Sequence, residues 1–497
     1  MCKHNLITPK KNKLRIIFTL GFFLLLILNF YTPVLADQGP GWSPPLRIPG
    51  FSEETNTPIL IADQNRTVHA FVSDWVGDEN PQLGINYTQW NQEYGWSSPV
   101  DIIMPARGQA RLKGAFLDQT GMMHLVFFGG DEAGAQIYYT RASAAEAGNV
   151  RSWSNPIIVG EKALIPDEAD IGGDGNGNLF IIFAGYADGH SLYAIYSNDG
   201  GDTWSLPEPI FLTNSQERWP TSLYIYVDQL GGGYALWSVA DKTGNSLAVY
   251  FSKQNPDLMT WSEPIQLAQA IGFEADTPTI IKYNDELLVI YHNDKPTTHW
   301  MRRSKDDGVT WTPAVRLFPH VGANGPASTV IDSGNTMHML FGQRVDPHPA
   351  THGMWHSTWV GGSWTYPEGI DTGLKSDAFD PSFPHAVVSQ GNTILVAWRH
   401  DPGSINGIWY SYTNLDSPEL PLIPLPTPPA PISATQTPAS DHGLPAPTSI
   451  NNSGLVTQDF EPIKNLTASQ PYMPLVLGAL PIIILLVIII IIKGQHR

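Results

Sequence analysis

Ser304-Lys-Asp306-Asp-Gly308-Val-Thr310-Trp311 and its near copy Ser197-Asn-Asp199-Gly-Gly201-Asp-Thr203-Trp204 both read S-x-D-x-G-x-T-W. Ser and Asp side chains hydrogen-bond nearby backbone amides and Gly accepts positive φ, so each octapeptide predicts a tight turn between two strands. The closing Trp brings a large apolar surface that has to be buried. Trp followed by a Ser/Thr/Pro-containing segment recurs at Trp42, Trp96, Trp153, Trp204, Trp261, Trp311 and Trp364. That period of roughly 50 residues is the size of one small sheet in a repeat array.

Two further markers run in phase with the Trp. An aromatic or basic residue followed by Ser or Thr comes at Tyr87, Tyr139, Tyr196, Phe251, Arg303, His356 and Tyr410. A polar hairpin turn precedes each, as in Asp118-Gln-Thr-Gly and Asp332-Ser-Gly-Asn, and a short apolar run follows it, as in Val68-His-Ala-Phe-Val72. Short strands bounded by Gly, Asp, Asn and Pro are the all-β pattern, and four per unit make a propeller blade. In each unit strand A precedes the polar turn, B is the apolar run, C carries the Tyr-Ser pair and D opens at the Trp. The last unit lacks its Trp, while the Trp42 segment is a D strand without A to C. A seven-bladed propeller is therefore expected, with Trp42–Ile48 completing the seventh blade and removing the open edges.

The ends read separately. Lys3, Lys10, Lys11, Lys13 and Arg15 flank an apolar run ending in Val34-Leu35-Ala36, a secretory signal that would leave a chain beginning at Asp37. The propeller is expected over 37–418, a Pro/Ser/Thr-rich stalk over 419–473, a single transmembrane helix over 474–492 and a basic cytoplasmic tail over 493–497. This places the protein at the cell membrane with the propeller outside. The one cysteine, Cys2, leaves with the signal, so no disulfide holds the ectodomain. A net charge of −18 argues against nucleic acid as a partner.

The two octapeptides resemble the Asp-box repeat of bacterial neuraminidases, and the resemblance covers roughly Trp42 to Pro418. That superfamily includes six-bladed exo-α-sialidases, which makes six blades the alternative architecture, and non-enzymatic propellers with other blade counts. The resemblance implies architecture, because in the family the box lies away from the active site. A sialidase would need three Arg side chains clamping the substrate carboxylate, a Tyr nucleophile activated by Glu, and an Asp acid/base. Its R-I-P signature would open a strand A. Arg47-Ile48-Pro49 matches it only in letters, because the repeat places it on a D strand. Arg218-Trp219-Pro220 falls at the start of a strand A, whereas the first unit has Asn56 there.

Ligands of propellers usually bind the face where A strands begin and B strands end. Arg111 and Arg218 fall at A-strand starts, and Arg344 and Arg399 at B-strand ends. Together they make a candidate anion clamp; equally, each can pair with a nearby acid such as Glu168, Asp170, Asp276 or Asp401. Asp276 and Trp219 complete the candidate ligand-binding set. Asp74, Asp131, Asp276 and Asp401 are acid/base candidates, with Glu168 and Glu274 as tyrosine partners. Tyr410 and Tyr412 belong to the strand-C packing pattern, so no nucleophile emerges. Trp75, Trp219 and Trp398 are the aromatic candidates for stacking on a sugar. His292, His356 and His400 show no metal spacing and Asp174-Gly-Asn176-Gly-Asn178 reads as a hairpin turn, so neither metal nor cofactor is implied. The residues point to a surface module that binds a glycan or protein ligand, with an exo-α-sialidase-type glycoside hydrolase as the alternative.

Overall fold

The computed structural model describes residues 41–425, apart from 77–81, 106–107, 131–135, 161–167, 186–189, 214, 256–258, 273, 295–296, 320, 345–350, 375–378 and 401–406. The expected signal sequence, transmembrane helix, tail and nearly all of the stalk lie outside the described residues, as do Asp131 and Asp401. No helix among the described residues is long and apolar enough to cross a membrane.

Seven antiparallel sheets follow one another along the chain. Their inner strands, A, are Ile59–Ala62, Gln109–Leu117, Ala169–Gly173, Arg218–Val227, Glu274–Tyr283, Asn324–Ile331 and Pro381–Ser389. Six sheets are built from one contiguous stretch each. The seventh takes its outer strand from the other end of the chain: Leu46 lies opposite Tyr410 and Arg47 opposite Trp409. The amide of Ser43 donates to the Tyr412 carbonyl at 2.8 Å and that of Ile48 to Ile408 at 2.9 Å. The ring is thus a seven-bladed propeller closed by the segment from Trp42 to Ile48, and the six-bladed alternative is excluded.

Each B strand is buried on both faces, which is why it reads as a nearly unbroken apolar run. In blade 6, Met337, Met339 and Phe341 pack toward blade 5, while Leu340 packs toward blade 7. Seven apolar clusters fill the seven gaps between neighbouring blades. The last, joining Leu395 and Ala397 of blade 7 to Leu60, Ala70 and Val72 of blade 1, closes the circle.

The two octapeptides fold alike on the rim. Asp199 accepts the Thr203 amide and hydroxyl, and Asp306 accepts those of Thr310; Ser197 and Ser304 accept the Gly201 and Gly308 amides at 2.8 Å. These bonds, led by the Thr203 hydroxyl, hold the Asp199 carboxyl down to about 2. Each Trp reaches back to the preceding blade: Trp204 packs on Tyr139 and Trp311 on Phe251, edge-on at about 5 Å. The A–B hairpins, at the same end of the blades, carry a second repeated device. Asp63, Asp118 and Asp332 each cap the A–B hairpin through backbone amides and also meet a buried His six residues on, at 3.3 to 3.4 Å. The other ring nitrogen of that His bonds Tyr87, Tyr139 or His356 on strand C.

Gly308 has φ +91°, and a Cβ there would stand 2.5 Å from the Phe251 ring; Gly244 has φ +83° with nothing within 4 Å. Gly308→Ala should therefore cost about 2–4 kcal/mol, from backbone strain plus overpacking. Gly244→Ala should cost about 1 kcal/mol, from strain alone. Denaturant midpoints of the two variants check the ranking.

Candidate functional site

The face where strands A begin is built from strained backbone. In blades 4, 5 and 7 two inner-strand residues stand against one B-strand aromatic: Ser222-Leu223 opposite Trp237, Thr277-Pro278 opposite Tyr291, and Phe383-Pro384 opposite Trp398. Ser222, Thr277 and Phe383 have φ of 51°, 46° and 50°, and Gly325 of blade 6 has 75°. Each opposing aromatic is fully buried, so the bulges face the core of their blades. Residues with side chains held at such φ cost of order 1–3 kcal/mol each and concentrate where ligands are handled.

Bulges and inner edges leave backbone amides without ladder partners, and side chains of the preceding blade take them. Glu168 and Asp170 accept the amides of Leu223 and Ile225, at 3.4 and 2.9 Å. Ser73 accepts that of Leu112, Ser328 that of Ala386, and the His385 ring that of Leu60. Burial pushes the Asp170 carboxyl up to about 7; the two amides it accepts pull the other way, and neighbouring Glu168 adds to the rise.

Arg111 lies opposite Phe128, two residues beyond Val126, and Arg399 lies two residues beyond Ala397, so these two share a register row, whereas Arg218 lies farther toward the start of its strand. Arg218 opens its strand opposite Asp241, three residues ahead of Thr221. Thr221, not Pro220, is in register with Asp276 and Ser382, because each precedes its bulge. Pro220 therefore does not stand where Pro278 does in blade 5; Leu223 holds that place. Arg218's charge helps to hold the Asp241 carboxyl low, after the Thr243 hydroxyl and amide. Arg399 lies opposite Ser382, donates to Asn56 and stacks over Phe383 at 4.4 Å. Arg111, exposed, donates to Gln109 at 2.7 Å. Arg344 ends its strand opposite His352, and its side chain lies outside the described residues.

The other candidates sort by their surroundings. Asp74 accepts from Ser52, Thr55 and the Trp75 amide, so it ties down the loop before blade 1. Trp398 is core and Trp75 is 41% exposed. Trp219 is half-buried, its ring 6.0 Å from that of His190. Tyr410 and Tyr412 pack on Trp96 and Trp90. Asp174 caps its own hairpin. No group of three His, Cys, Asp or Glu able to hold a metal occurs among the described residues.

Blade 5 is different. Asp276, His292 and His299 form one row across strands A, B and C. The imidazoles meet edge-on at 5.0 Å. Asp276 Oδ1, Thr277 Oγ1, Thr279 Oγ1, His292 Nε2 and both ring nitrogens of His299 are buried without a protein partner among the described residues. Burial lowers His292 to about 4 against the opposing pull of Asp276 and the Gly325 backbone, and burial, with His292 beside it, holds His299 well below the usual imidazole value, which favours the neutral rings. Glu274, at the start of the same strand, is raised by burial and then by Asp276, with the Thr297 hydroxyl opposing. Sequence reading found Asp276 and Glu274 but missed the row, because it exists only once the pairing register is known.

No protein-family description and no curated protein matches the chain. Its fold is similar to that of several solved structures. An ulvan lyase of polysaccharide lyase family 25, solved bound to -[GlcA(1-4)Rha3S]-, is 12% identical over 77% of this chain and 96% of its own, with a TM-score of 0.48. A protein of unknown function from Dyadobacter fermentans is 15% identical over 76% of this chain and 100% of its own, at 0.47. The NanB sialidase of Streptococcus pneumoniae is 11% identical over 77% of this chain and 70% of its own, at 0.41. Likeness at this level carries no argument about activity, and the blade count rests on the sheets themselves.

Asp170 gives a pH test of the inner seam. Its folded value, about 7, lies above the ordinary carboxylate value, so the folded state keeps a proton that the unfolded chain releases. The group's contribution to stability is therefore full at low pH and is lost as pH rises from about 4 to about 7. Asp170→Asn, which can still accept the Ile225 amide, should gain a few kcal/mol relative to the parent between pH 5 and pH 8. Denaturant titrations of both proteins at the two pH values measure that difference.

Proposed function

We propose that the protein is a binding module whose ligand, a glycan, seats on the face where the inner strands begin. The reading is carried by the buried polar atoms of blade 5 that lack protein partners. Buried hydrogen-bonding groups are costly unless satisfied, and a ligand or water reaching Asp276, Thr277 and His292 would satisfy them. A carboxylate, a hydroxyl and a neutral imidazole together match the hydroxyls of a sugar, which both donate and accept. The exposed Trp75 offers an apolar ring face on the same side of the propeller. The apolar stretch 474–492 would hold the module on the cell surface, propeller outward.

The hydrolase alternative needs the arginines to act as one carboxylate clamp. Gln109, Asp241 and Asn56 stand beside Arg111, Arg218 and Arg399 and engage them within the protein, which supports binding without hydrolysis as the reading.

Full-length protein in mild detergent, applied to a glycan array, should retain a restricted set of glycans. Asp276→Asn should weaken that binding at least about tenfold, the cost of a lost charged hydrogen bond, with the melting temperature little changed. Binding that survives Asp276→Asn unaltered, or turnover of a fluorogenic sialoside by the parent, would contradict the proposal.

A further inference from the structure

The chain does not leave the propeller when blade 7 ends. From Leu415 to Leu425 it runs under the ring, along the A–B hairpins on the face opposite the candidate site. Pro418, Pro421 and Pro424 recur every third residue. That is the repeat of a polyproline II helix, which advances about 9 Å per turn and makes no internal hydrogen bonds. Neighbouring sheets lie about 10 Å apart. One turn of such a helix therefore spans one blade.

The contacts follow this measure. Ser417 donates to Asp332 of blade 6. Three residues on, the Leu420 amide donates to the Gln390 carbonyl of blade 7 at 2.8 Å. Three further on, the Ile423 amide donates to the Gln64 carbonyl of blade 1 at 2.9 Å. Between these points Ser333 donates to the Pro418 carbonyl, and Arg66 of blade 1 pairs with Glu419 and donates to Gln390. Leu425 ends the run against the apolar cluster between blades 1 and 2. The blade 7–blade 1 gap, crossed by this run, is the one already closed by the N-terminal strand.

We infer that Leu415–Leu425 is a second closure of the ring, a proline-spaced strap that clasps blades 6, 7 and 1 across the seam. A polyproline segment is stiff before it docks, so binding it along the hairpins costs little conformational entropy. The seam is then held on one side by the strand from Trp42 to Ile48 and underneath by the strap. Opening it requires both to let go. The strap also takes the chain's exit to the hairpin face, leaving the face with Asp276 unobstructed by the C-terminal segment as far as Leu425.

Amide hydrogen exchange on the full chain tests this. In the parent, the Leu420 and Ile423 amides should exchange at least about a hundredfold more slowly than in a free peptide, a ratio set by the opening equilibrium. Leu420→Pro and Ile423→Pro each remove one donor while keeping the polyproline geometry. Each should speed exchange of the Ser43 and Ile48 amides, on the opposite closure, by about tenfold. A Cβ at Gly334 would stand 3.4 Å from that of Ser417, so Gly334→Cys with Ser417→Cys should form a disulfide that slows exchange at Ser43 relative to its reduced form. Strap amides exchanging at free-peptide rates would overturn the inference. So would protected strap amides whose loss, or whose covalent fixation, leaves Ser43 and Ile48 unchanged.

Discussion

The burial of each B strand on both faces governs the rest of this structure. A sheet such as that of blade 6, with Met339 and Phe341 on one side and Leu340 on the other, cannot be soluble alone and needs a neighbour on each flank. Repeating that requirement around the chain leaves either two exposed ends or a ring. The ring is chosen by the pairing of Leu46 and Arg47 with Tyr410 and Trp409, which puts the two ends of the propeller into one sheet. Closure lets an acidic propeller without disulfides hold together, since no blade can separate without opening apolar faces on both of its neighbours.

Much of the architecture was legible because its signals are local. Trp204 and Trp311 close turns whose Ser, Asp and Gly act on backbone atoms within a few residues, so the turns can be recognised without knowing what they touch. The unpaired D strand at Trp42 then followed from the repeat by subtraction. The site was less legible because it depends on register. Pro220 looks like the counterpart of Pro278, yet the bulge of blade 4 lies opposite Trp237 and falls at Ser222, where no Gly or Pro announces it. The Asp–His pairs were present as a spacing, six residues from Asp63 to His69, Asp118 to His124 and Asp332 to His338, and that spacing is the signal that would have found them. The docked strap was visible too, as prolines at every third position, but was read only as composition.

The two faces of the propeller have different chemistry for related reasons. On the hairpin face, many polar side chains pair within the protein: Asp to amide and His, Arg66 to Glu419, Ser417 to Asp332. That face is a structural seam. On the opposite face the inner strands bulge, a residue in each of blades 4, 5 and 7 is held in the left-handed region, and in blade 5 a row of carboxylate, hydroxyl and neutral imidazole groups is buried without protein partners. Other buried polar atoms without partners are scattered over the blades, but blade 5 lines up several of them in one row, where a single ligand could satisfy them together.

The ring closure itself can be measured directly. Ser43 and Ser411 face each other across the borrowed strand with hydroxyl oxygens 3.2 Å apart. In a background lacking Cys2, the double variant Ser43→Cys and Ser411→Cys should oxidise to a single intramolecular disulfide in the folded protein, seen by mass spectrometry as one peptide joining the two ends of the propeller. Two free thiols in the folded protein after mild oxidation, or links only between molecules, would show that the first strand lies elsewhere and that the seven-bladed ring is not closed this way.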